Sequence, residues 1–138
     1  MGRAKDWAGR KAPDLAAFEE LAAEAWKRLP QEFRAMCGDL VIRVEDFPTD
    51  EVLKSMGLES PFDLLGLYHG LSLDKKSVAD IVPQPDMVFL YRRPLLDYWA
   101  EHEETLGHLV THVLIHEIGH HFGFSDEDMY GIEAATEP

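Results

Sequence analysis

The stretch His116-Glu117-Ile118-Gly119-His120-His121-Phe122-Gly123-Phe124-Ser125-Asp126 holds the residue types that could do chemistry. On a helix, positions four apart differ by only ~40° and lie one turn apart on one face. His116 and His120 can therefore turn two imidazoles on one metal ion, a preorganised half of a zinc site. Glu117 stands ~100° from His116 but ~60° from His120. Its carboxylate can lean over the metal without binding it, where a general base for a metal-bound water belongs. Gly123 lets the chain leave the helix by a left-handed turn. Asp126 follows three residues later and can bring a hard oxygen as third ligand, with Asp128 in reserve. The expectation is one Zn²⁺ per chain on His116, His120 and Asp126, with Glu117 catalytic. Two plainer readings stand beside it. The helix could be a charged surface helix with i,i+4 pairs. Ser125-Asp126-Glu127-Asp128 could be a solvated acidic turn capping a short terminal helix.

Six of the seven histidines lie between residues 102 and 121. His108 and His112 continue the i,i+4 row backwards and are expected to pack or to support the ligands. His121 points ~100° away from His120 and is expected to pack or face solvent. Tyr68, Tyr91 and Tyr130 are hydroxyls that could face an oxyanion, and Tyr130 is nearest the motif in sequence.

The charge has a matching asymmetry. The chain carries 13 basic and 26 acidic residues, a net of -13. From Pro94 onward ten acids face no Lys or Arg. That balance excludes a phosphate-gripping surface near the motif, so no nucleic acid is expected as partner. It favours neutral or basic peptides over acidic ones as substrates. No stretch approaches the ~20 apolar residues of a membrane span. The N-terminus lacks a secretory pattern, and the expected compartment is the cytoplasm. A single cysteine, Cys37, rules out an intramolecular disulfide.

These residues need elements to position them. Residues 1–12, with Arg3, Lys5, Arg10 and Lys11, are expected as a solvated basic tail, and 13–138 as one domain. Leu15, Phe18, Ala22, Ala25 and Leu29 recur at helical spacing, which predicts a helix over 14–28 after Asp14. Residues 31–36 can add a turn. Leu40 to Val44 and Met87 to Tyr91 read as strands, and 64–69 as a further one. Asp50 to Met56 reads as a short helix closed by Gly57. Residues 70–85 read as loop. Pro94 fits the first turn of a helix, and 103–121 reads as the long motif helix. The order predicts an α+β fold: a small mixed β-sheet backed by helices, with the motif helix near the C-terminus.

The motif has the form HExxHxxGxxD and resembles the zincin metallopeptidases. With Leu65-Gly66-Leu67-Tyr68-His69-Gly70, Phe89-Leu90-Tyr91-Arg92 and Val113-Leu114-Ile115 before it, the chain resembles most closely the small bacterial minimal zincins over about residues 15–130. The resemblance implies a zincin-like core and a zinc-dependent peptidase that hydrolyses peptide bonds with a Glu-activated, metal-bound water. It also implies that substrate adds as a strand beside the motif helix, with 64–69 the expected edge. The spacing also resembles bacterial rRNA-maturation metalloproteins, which implies a metal-dependent nuclease as the alternative. Those proteins take His as third ligand and lack the Glu. A non-catalytic metal-binding module is the third reading. Gluzincins take a ligand Glu from a later helix. Here Glu127, Glu133 and Glu137 follow the motif, and none is expected to ride on a helix.

Overall fold

Within the expected basic tail, Gly2–Ala8 form a short exposed helix, α1, and the Arg10 guanidinium lies 4.9 Å over the Trp7 ring. The computed structural model describes residues 2–70 and 85–136. The expected loop at 70–85 therefore lies outside the described residues except at its two ends.

Asp14 starts the first core helix, α2 (Leu15–Arg28), because its carboxylate accepts from the Ala17 N–H at 2.8 Å. That satisfies one of the amides a helix start leaves unpaired. Phe18, Ala22 and Ala25 recur one turn apart and form its buried stripe. Pro30 cannot extend α2, and a second short helix, α3 (Gln31–Cys37), follows where only a turn was expected. Phe33 and Cys37, one turn apart, bury its inner face.

Among the described residues, three strands follow the β-branched and aromatic runs: β1 (Val41–Glu45), β2 (Gly66–His69) and β3 (Met87–Tyr91). β3 lies in the middle, parallel to β1 and antiparallel to β2, with Val41 opposite Met87 and Gly66 opposite Leu90. The sheet is small and mixed, as expected. Between β1 and β2, Thr49 caps α4 (Asp50–Met56), and Gly57 ends it with φ +70°. The second expected strand is shorter at its start, because Ser60 caps a 3₁₀ turn at Pro61–Asp63.

Helix α5 (Arg92–Glu101) begins two residues before Pro94. Proline is tolerated in the first turn because its missing N–H would have no helical partner there. The chain then breaks at 102–105. Trp99 Nε1–H donates to the Glu104 carbonyl at 2.8 Å, and Thr105 Oγ1 accepts from the His108 N–H at 3.1 Å, capping α6 (Leu106–His121). The motif helix thus starts three residues later than expected. Its core side chains Leu109, Val110, Val113, Leu114, Ile115 and Ile118 meet Phe18, Val88, Leu90 and Leu95 in one cluster. Fully burying one such side chain contributes about 1.5–3 kcal/mol. Gly123, at φ +75°, ends α6: its N–H donates to His120 O, and the Phe124 N–H reaches Gly119 O at 2.8 Å. A last helix, α7 (Asp126–Thr136), turns back along α6. No helix of the described residues is long and apolar enough to cross a membrane.

Cys37 gives a direct check on the packing at α3. Its thiol is buried, donates to the Phe33 carbonyl at 3.3 Å, and is pushed up to about 11 by burial and then by Asp86. The thiolate is the reactive form. Two pKa units cut its fraction roughly a hundredfold, so alkylation by iodoacetamide at pH 8 should be at least that much slower in the folded chain than in urea. Equal rates in the two states would show that α3 does not cover the thiol.

Candidate metal centre

The histidine row lies along α6, where i,i+4 spacing stacks side chains on one face. The rings of His112 and His116 stand 4.0 Å apart, those of His108 and His112 6.4 Å, and those of His116 and His120 5.9 Å at 80°. His120 and His121 are exposed, while the His116 side chain is only 16% exposed. His121 does not face the row. It stacks on Tyr68 at 3.8 Å.

Glu117 turns towards β2. Its Oε1 accepts from the Tyr68 N–H at 3.3 Å. The approach is close because Gly66 has no side chain: a Cβ there would stand 2.8 Å from Val113 Cγ1, 3.0 Å from Phe89 O and 3.4 Å from Glu117 Cγ. Among the described residues, β2 is a terminal strand of the sheet and lies beside the motif helix. Burial pushes the Glu117 carboxyl above its usual range, opposed by the Tyr68 N–H and then by His120. A carboxylate with raised proton affinity is suited to take and return a proton near neutral pH.

The hydroxyls divide clearly. Tyr68 donates to Asp86 Oδ2 at 2.9 Å, and Tyr91 is buried at 2% exposure. Tyr130 is 59% exposed, with its ring 6.3 Å from that of His116.

Helix α7 changes the reading of the acidic terminus. Ser125 and Asp128 form a reciprocal cap: Ser125 Oγ accepts from the Asp128 N–H at 3.1 Å, and Asp128 Oδ2 accepts from the Ser125 N–H at 3.2 Å. The acidic turn therefore caps a terminal helix, and Asp128 is engaged in that cap. Asp126 opens α7 and is exposed. Met129 is fully buried against α6, where a Cβ on Gly119 would stand 2.8 Å from Met129 Cγ, so the two helices approach closely. One turn beyond Met129 comes Glu133. The expectation that no later Glu rides on a helix is thus corrected: both Glu127 and Glu133 lie on α7. The extra turns of α7 were hidden by weak periodicity, although Ser125-x-x-Asp128 was a legible start signal. Glu137 lies outside the described residues.

Glu133 faces the histidine row. Its Oε1 contacts His112 Nδ1 and lies 3.2 Å from His116 Nε2. Among the described residues, His112, His116 and Glu133 form a group whose ligand atoms all lie within 4.8 Å of one another. Asp126 and His120 are not in that group. Burial, and then His112, hold the His116 imidazole below the ordinary histidine range, against the pull of Glu133.

The donor set fits a metal. His116 Nε2 and Glu133 Oε1 are buried and make no aligned hydrogen bond, although they are 3.2 Å apart. Lone pairs that crowd without pairing suit a shared cation. Ligand atoms of a tetrahedral ion with bonds of about 2.0–2.1 Å stand about 3.3 Å apart, and this pair already has that spacing.

A family model described as zincin-like metallopeptidase matches residues 37–135, from the end of α3 to the end of α7. A search of curated proteins finds no match to the chain. The matched span holds the whole sheet, the Glu117 contact with its edge and the histidine row, and the chain belongs to the zincin-like metallopeptidase family.

Proposed function

We propose that this chain is a zinc-dependent peptidase in which His116 and His120 hold the metal and Asp126 completes the ligand set. The observation that carries this reading is Glu117, next in sequence to His116, half-buried with raised proton affinity against the edge strand β2. When bound, zinc supplies a Lewis acid and lowers the pKa of water at the site. Glu117 takes the proton of the attacking water and delivers it to the leaving amine nitrogen. Strand β2, a terminal strand among the described residues, receives the substrate backbone as an added strand near the Glu117 carboxylate. Tyr130 is exposed with its ring 6.3 Å from that of His116, and its hydroxyl faces the developing oxyanion. The acidic C-terminal half attracts neutral or basic peptides and repels acidic ones.

The test is turnover of neutral, basic and acidic fluorogenic peptides by the zinc-loaded chain, with and without a chelator. Hydrolysis should need zinc, and basic or neutral peptides should be cut faster than acidic ones. Preference for acidic peptides would overturn the substrate assignment. Zinc binding with no hydrolysis of any peptide would overturn the peptidase reading in favour of a binding module.

A further inference from the structure

We infer that α6 and α7 build a second metal position, on His112, His116 and Glu133, which competes with the HExxH pair for His116. The inference rests on the proposed working site at His116 and His120. His112 lies outside that motif, one helical turn before it, and Glu133 comes from another helix. Yet these are the residues whose donor atoms the fold has gathered within 4.8 Å. His112 Nδ1 and His116 Nε2 both approach the same oxygen, Glu133 Oε1. Two of the three donors, His116 Nε2 and Glu133 Oε1, are buried without a hydrogen bond. Leaving such polar atoms unmet costs about 1–3 kcal/mol each, and a cation shared among them would recover it. The position is held by packing, since the fully buried Met129 seats α7 one turn before Glu133.

Two imidazole nitrogens and one carboxylate oxygen suit zinc and the other late first-row divalent ions. His116 Nε2 cannot serve two ions at once, so occupancy of the two positions alternates. Glu117 is five residues from His112, ~140° around the helix. An ion on the upper position is therefore away from the general base. This position keeps metal on the protein in an inactive form, and movement of His116 towards His120 activates it.

Cobalt(II) chloride titrated into the metal-free 138-residue chain, followed by visible absorption, tests this. His120→Ala should still bind one cobalt within about tenfold of the wild-type affinity, with a four-coordinate spectrum. Adding Glu133→Gln or His112→Asn to His120→Ala should weaken that binding by about a hundredfold or more. The two substitutions lie on different helices, so loss of binding with both reports the shared position rather than one misfolded helix. If His120→Ala binds no cobalt while wild type does, the second position is overturned and the working site stands. The same follows if Glu133→Gln and His112→Asn leave His120→Ala binding unchanged. If wild type binds no cobalt, both readings fall.

Discussion

Glu117→Gln should retain zinc and lose peptide hydrolysis. The substitution preserves shape and an acceptor oxygen for the Tyr68 N–H, which donates to Glu117 Oε1 at 3.3 Å, but removes the basic carboxylate. A positioned general base contributes typically ~10²–10⁴ in rate, so kcat should fall by about that factor with KM little changed. The zinc content of the variant should equal that of wild type, because Glu117 is turned to the Tyr68 N–H of β2 and is not among the proposed ligands. Turnover within about threefold of wild type would remove Glu117 from the mechanism, since the loss expected of a general base is far larger.

The second large effect is structural. Met129→Ala should destabilise the chain by about 2–5 kcal/mol, the usual range for emptying a buried methionine site. Met129 is fully buried, and Gly119 leaves room for its thioether on α6. Because α7 reaches His112 and His116 through Glu133, undocking it should also weaken metal binding. Urea unfolding followed by circular dichroism reads the first effect, and a zinc titration reads the second. A loss below about 1 kcal/mol would show that α7 is not anchored there.

These two residues also show what the sequence could and could not reveal. The position of Glu117 on the motif helix followed from 3.6-residue geometry alone, because neighbours on one helix are fixed by rotation per residue. The start of α2 followed from Asp14, and the stops of α4 and α6 from Gly57 and Gly123, since caps act through contacts a few residues away. Strand order was different in kind. Pairing of β3 with β1 on one side and β2 on the other joins residues 18 or more positions apart, and nothing local encodes it. The Tyr68–Glu117 contact depends on that order and on the missing side chain of Gly66. Glu133 was missed for a related reason. Its approach to His116 depends on α7 packing back along α6 from the Gly119–Met129 contact, a packing event that a short, weakly amphipathic segment does not announce. The histidine row itself was visible. Only its carboxylate partner was not.

Both metal positions use His116, which makes one measurement decisive. Crystals of the 138-residue chain soaked in zinc chloride, with data collected at the zinc absorption edge, locate the ion directly. The account predicts one anomalous peak per chain at bonding distance, about 2.0–2.1 Å, from a ring nitrogen of His116. His120 and Asp126, or His112 and Glu133, should complete the coordination. A zinc ion bound elsewhere with His116 uncoordinated, or no zinc at any soak concentration, would contradict it.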